Sequence, residues 1–236
     1  MTGEMIDFPG APNPARPDAP APGTATGYLA VPDGGSGPGI VLTHAWWGLN
    51  PTFRGVADRL AANGFVVLAP DLYGDGRFVT TIEEADARSN ALDWVRAEQA
   101  VLGAADRVGV EPAVAVGKIG TIGFSLGSGP ALWLSHQRLE VGAVVLVYSP
   151  GEGDYAASRA PVQLHYSPQD AYEDMGYVEA FGRAVREAGR GFESFEYPGR
   201  AHWFFEPDRP EYDAVAAESA WERILAFFGR ELGSGT

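Results

Sequence analysis

The chain has 236 residues, 45% of them hydrophobic and 11% aromatic, enough to build the core of one generous domain. Its 17 basic and 31 acidic residues leave a formal charge of -14, which argues against nucleic acid or an anionic membrane surface as a partner. There is no cysteine, so disulfides, thiolate metal sites and a cysteine nucleophile are excluded.

In chain order, the N-terminus lacks a basic segment followed by an apolar stretch, so no signal peptide is expected. Met5-Ile6-Asp7-Phe8 reads as a short first strand, and residues 9–23 form a Pro/Ala-rich extended segment. Residues 24–31 alternate and predict an edge-type strand, followed by a turn cluster over 32–39. Ile40-Val41-Leu42 predicts a short buried strand ending at His44. Thr52 is placed to cap a helix through about Asn63, with Phe53, Val56, Ala57, Leu60 and Ala61 on one face and Gly64 as its stop.

Phe65-Val66-Val67-Leu68-Ala69 is a continuous apolar run ending at Pro70-Asp71, as for a strand covered on both faces. A glycine-containing loop over 72–78 leads to a long predicted helix, about 82–105. Residues 118–124 predict a buried strand, and the run Ala131-Leu132-Trp133-Leu134 a helix. Strands are then expected over 141–147, 161–166 and 192–197, with helices over about 177–188 and 212–228. Strands alternating with helices imply βαβ units and a mainly parallel sheet flanked by helices on both faces. We find no internal repeat and no domain-sized linker, so residues 1–236 are expected to form one α/β domain. No apolar run approaches the roughly 20 residues that span a bilayer. A cytoplasmic protein is the expectation.

Between strand and helix lies Gly123-Phe124-Ser125-Leu126-Gly127, a Gly-x-Ser-x-Gly pattern. In a nucleophile elbow the serine occupies a strained turn, and the next amide, here Leu126 N–H, faces the developing oxyanion. An ordinary glycine-rich turn fits the pattern equally well, so its surroundings decide. Ligands of such sheets bind at the carboxyl ends of the strands. There the sequence offers Ser125, then Asp170, then His202, the chain order expected of an α/β-hydrolase. Ser125 is then the nucleophile, His202 its base, and Asp170 the group that orients the imidazole. Asp174 and Glu173 lie close enough in sequence to replace Asp170. His165 reads as a satisfied core histidine, His136 as a surface residue and His44 as a supporting one. No histidine and carboxylate set has metal spacing, and no cofactor is implied.

Five segments carry a family resemblance: His44-Ala-Trp-Trp-Gly-Leu-Asn50, Ala69-Pro-Asp-Leu-Tyr73, Gly123-Phe-Ser-Leu-Gly127, Gln169-Asp170 and Tyr197-Pro-Gly-Arg-Ala-His202. Together they resemble the dienelactone hydrolase family, in order and across nearly the whole chain from Thr24. The resemblance implies a compact α/β-hydrolase fold without a large cap, consistent with the short connection over 149–160. A second oxyanion donor is expected from a residue after the third strand, at Trp46 N–H. The founding enzymes use a cysteine where Ser125 stands, and a glutamate where Ala45 stands. They also hold a substrate carboxylate with arginines, at places occupied here by Asp75 (with Arg77 nearby) and Glu206.

Trp47, Tyr73, Phe78, Trp203 and Phe204, on strand-end loops, are expected to line a substrate pocket for a neutral or aromatic ester. The expected function is hydrolysis of small carboxylic esters or lactones through an acyl-enzyme. An acyltransferase or peptidase on the same residues, or a non-catalytic hydrolase-fold binding protein, are the alternatives. The sequence does not give the oligomeric state.

Overall fold

The computed structural model describes residues 3–115, 117–151 and 159–233. It divides into two compact units, the first running to Ile119 and the second from Gly120 to Gly233.

In the first unit the strands are β1 (Glu4–Pro9), β2 (Thr24–Ala30), β3 (Gly39–Thr43) and β4 (Val66–Pro70), hydrogen-bonded in the order β1-β2-β4-β3. Strands β3 and β4 are parallel, whereas β2 is antiparallel to both β1 and β4. Residues 24–31, expected at an edge, therefore form an interior strand. Their alternation misled because β2 is buried at five of its seven positions, and Gly27 and Ala30 leave little apolar bulk to announce it.

Helix α1 (Pro51–Ala62) buries Phe53, Val56, Ala57, Leu60 and Ala61, the face that the 3.6-residue spacing predicts. Its cap is Asn50 and not Thr52, because the Asn50 side chain accepts the Phe53 N–H at 3.1 Å and Pro51 opens the first turn. The expected long helix over 82–105 is two helices, α2 (Ile82–Asn90) and α3 (Trp94–Gly109). The break has a local cause: Asp93 is extended, and its carboxylate caps α3 by accepting the Arg96 N–H at 3.1 Å. A capping side chain inside an apolar-periodic run thus starts a new helix. The Pro/Ala-rich segment is tied down, with Ala11 N–H donating to Gln99 O and Gln99 Nε2 to Pro20 O.

The second unit contains β5 (Ile119–Phe124), α4 (Ser128–Gln137), β6 (Val141–Val147), β7 (Val162–Tyr166), α5 (Met175–Glu187), β8 (Phe192–Glu196) and α6 (Ala214–Leu232). Its strands run in the order β5-β6-β7-β8, with β6–β7 and β7–β8 parallel. Every residue of β5, β6 and β7 is buried. That requires cover on both faces, and each fully buried Val or Leu is worth about 1.5–3 kcal/mol. The 149–160 connection falls largely on residues outside those described. No helix among the described residues is long and apolar enough to cross a membrane.

Candidate active site

The elbow follows from what β5 can tolerate at its end. Ser125 leaves the strand with φ 51°, and a 3-10 turn over Ser125–Gly127 runs directly into α4. A Cβ on Gly123 would collide with the Gly127 carbonyl and with Ser128 Cα, so only glycine allows the helix this close to the strand. Positive φ at a serine is strained and persists only where the surroundings impose it.

Ser125, Asp170 and His202 come together inside the second unit. His202 Nε2 lies 3.0 Å from Ser125 Oγ, and His202 Nδ1 lies 2.6 Å from Asp170 Oδ2. A carboxylate only accepts hydrogen bonds, so Nδ1 carries the proton and Nε2 is left to accept from the serine hydroxyl. Both side chains of the histidine and aspartate are nearly sealed from solvent, at 4% and 2% exposure. Asp170 Oδ1 accepts the Tyr172 N–H at 2.8 Å, which fixes the carboxylate plane. Of the neighbouring acids, Asp174 caps α5 by accepting the Gly176 N–H at 2.6 Å.

The loop after β7 is stapled to the loop after β8 on either side of this contact. Gln169 Oε1 accepts the Gly199 N–H at 2.7 Å, and the Ser167 hydroxyl donates to the Arg200 carbonyl. Aromatic rings pack around His202: Tyr148 at 4.6 Å, Tyr172 at 5.1 Å and Trp203 edge-on at 5.5 Å. Tyr148 and Tyr172 were not singled out from the sequence. The signal for Tyr148 was its position at the end of β6, and for Tyr172 its place two residues after Asp170.

In the first unit, Trp46 and Trp47 follow β3 and pack at 5.3 Å. Their turn is tied to the loop after β4, where Tyr73 O–H donates to Trp46 O at 2.8 Å and Val79 N–H to Trp47 O at 2.9 Å. Tyr73 is itself held, with His44 stacked at 5.8 Å and the Arg88 guanidinium 4.1 Å from its ring centroid. His44 is fully buried, its Nε2 accepting the Leu72 N–H at 3.1 Å and its Nδ1 meeting Ala45 O at 2.7 Å. Burial drives the Asp71 carboxyl upward, but His44 and the amides of Gly76 and Gly74 outweigh it and hold the group at about 2.

Of the five expected pocket aromatics, Phe78 is exposed and Tyr73 is half-buried, while Trp203 is largely buried. Trp47 and Phe204 have no exposed surface at all. Phe204 is spent on packing, stacked on Tyr197 at 4.6 Å and edge-on to Tyr148 at 5.5 Å. Asp75 is exposed and paired with Arg88 at 3.0 Å, whereas Glu206 is fully buried. His165 is fully buried with both nitrogens bonded, and half-buried His136 lies in the last turn of α4. Among the described residues no cluster of three histidine or carboxylate groups is placed to hold a metal.

The family model described as "Dienelactone hydrolase family" matches residues 25–232. A chain from Azospirillum brasilense, named "Putative carboxymethylenebutenolidase", is 29% identical over 228 residues, covering 89% of this chain and 95% of that one. The solved structure "m3DLH" superposes with a TM-score of 0.81 at 24% identity, covering 98% and 100% of the two chains. A dienelactone hydrolase-like promiscuous phosphotriesterase, P91, from metagenomic libraries gives 0.77 at 22% identity over the same shares. These likenesses show the α/β-hydrolase fold.

Proposed function

This chain belongs to the dienelactone hydrolase family, and from that premise we propose that it is a serine hydrolase cleaving small, uncharged carboxylic esters or lactones. The observation that carries the reading is His202 held between Asp170 at 2.6 Å and Ser125 at 3.0 Å. The relatives named as carboxymethylenebutenolidases and as a lactonase support ester or lactone chemistry. We read residues 1–236 as one hydrolase domain, because the family match runs unbroken from residue 25 to 232.

Ser125 Oγ attacks the acyl carbon as its proton passes to His202 Nε2. The C–O π pair moves onto the carbonyl oxygen, and Leu126 N–H meets that oxyanion; one such donor is worth about 3 kcal/mol. The tetrahedral intermediate collapses, His202 returns the proton to the leaving oxygen, and an acyl-Ser125 ester remains. Water, deprotonated by His202, then releases the carboxylic acid and restores the serine. Throughout, Asp170 keeps the imidazole in one tautomer and offsets the charge of its protonated form. A serine with its own histidine base has no thiolate to generate, which accounts for Ala45 where the family has a glutamate.

Ser125→Ala and His202→Ala are each expected to remove turnover of p-nitrophenyl esters without unfolding the chain. The double variant should be scarcely worse than either single one, since members of one catalytic unit are not additive. Wild-type turnover by either single variant sinks the proposal. A panel of neutral esters, neutral lactones and one anionic lactone, run beside Ser125→Ala, reads the substrate class.

A further inference from the structure

Three non-glycine residues among those described have positive φ: Ser125 at 51°, Tyr148 at 76° and Trp203 at 68°. Each such residue costs about 1–3 kcal/mol and survives only where its surroundings enforce it. Ser125 is accounted for by the elbow, and Trp203 directly follows His202. Tyr148 has no place in the chemistry above.

Tyr148 directly follows β6, its N–H donating to His165 O at 2.7 Å, and its side chain is fully buried. The ring lies 4.6 Å from the His202 ring and 5.5 Å from Phe204, and 6.4 Å from Phe124, the last residue of the elbow strand. The hydroxyl accepts the Phe205 N–H at 3.3 Å, and Glu206, the next residue, is buried. One residue thus touches the end of the nucleophile strand, the histidine and the turn after the histidine. Burial, with the Glu206 charge beside it, holds the phenol far above its usual ionisation, so it stays a neutral hydrogen-bonding group.

A single Nδ1–H···Oδ2 bond to Asp170 leaves the imidazole free to swing about that contact. Swinging carries Nε2 away from Ser125 Oγ, and displacement of about 1 Å costs on the order of 100-fold in rate. A large ring against the imidazole, itself anchored at its hydroxyl, removes that freedom. We propose that Tyr148 is a positioning residue, whose ring and anchored hydroxyl hold His202 in line with Ser125. The inference rests on the catalytic reading of Ser125, His202 and Asp170. The strained backbone at Tyr148 is then the cost of turning its ring under the histidine.

The test uses the full chain carrying Tyr148→Leu or Tyr148→Phe, with p-nitrophenyl acetate turnover, fluorophosphonate labelling of Ser125 and urea unfolding. Tyr148→Leu removes the ring and should lower kcat roughly 100-fold with KM within about twofold, labelling slowing in parallel. Tyr148→Phe restores the ring but not the anchor, and should recover kcat to roughly three- to tenfold below wild type. A folded Tyr148→Leu with kcat within about threefold of wild type overturns the inference. So does a raised KM at unchanged kcat, which would mean that the ring touches substrate. If Tyr148→Leu does not fold, Tyr148→Phe decides, and an unchanged kcat there overturns it. A wild-type chain that neither turns over esters nor labels at Ser125 defeats the catalytic reading itself, and the inference falls with it.

Discussion

Asp170 and Asp174 are chemically identical and four residues apart, yet the structure gives them different partners. Asp170 accepts from the His202 ring, whereas Asp174 accepts backbone N–H groups in the first turn of α5. Their substitutions should therefore separate cleanly. Asp170→Asn presents an N–H to His202 Nδ1, favours the wrong tautomer and should lower kcat roughly 10⁴-fold. Asp174→Ala should leave kcat near wild type and cost about 1 kcal/mol of stability, the usual worth of an N-cap. Steady-state kinetics and urea unfolding on both variants check this, and a kinetic collapse in Asp174→Ala would reverse the assignment. The sequence brought the acid down to three neighbours because a Ser, acid, His order is a property of the chain. It could not choose among them, since a cap and a histidine partner require the same side chain. The position of Tyr148 at a strand end was legible, but its role was not, for a related reason. A tyrosine ending a buried strand looks like core, and only its φ of 76° and its ring contact with His202 mark it.

At the scale of elements, the buried strands were legible because their apolar runs are continuous, and β6 falls on the residues expected. The break between α2 and α3 was not, since Asp93 caps a helix only through a side-chain geometry that periodicity does not encode. The polar pairing that joins β7, the residue after β8 and α6 was equally hidden. Gln163 Oε1 can only accept, so His165 donates to it from Nε2 at 2.8 Å; Nδ1 must then accept from Tyr197 O–H at 2.7 Å. Tyr197 in turn accepts from Arg223 Nη1 at 3.1 Å. Burial, with Arg223 nearby, lowers the His165 pKa to about 3. The unfolded chain therefore takes up this proton first, near pH 6.5, while the folded chain refuses it until about pH 3. Stability linked to His165 is full above pH 6.5 and is lost as the pH falls between those values. His165→Gln removes the linkage. Urea midpoints taken from pH 7.5 to 4.5 should fall less steeply for that variant than for wild type, although it is less stable at pH 7.5. Parallel curves would show that His165 is not the proton-linked group.

For the molecule as a whole, the charge of -14 bears on which esters reach the site. A negative surface potential raises the local concentration of cations, lowers that of anions and leaves neutral molecules unaffected, over a Debye length of about 8 Å at physiological salt. An anionic lactone should accordingly show a low kcat/KM at low ionic strength that rises severalfold as sodium chloride is taken from about 0.01 to 0.5 M. A neutral lactone of the same size should change little over that range, which controls for salt effects on the fold. Because screening acts on encounter rather than on the bound state, the gain should appear in kcat/KM and leave kcat nearly constant. An anionic lactone that is hydrolysed fastest at low salt would mean that a local cationic group overrides the field. Arg77, exposed in the loop after β4, is then the first residue to replace.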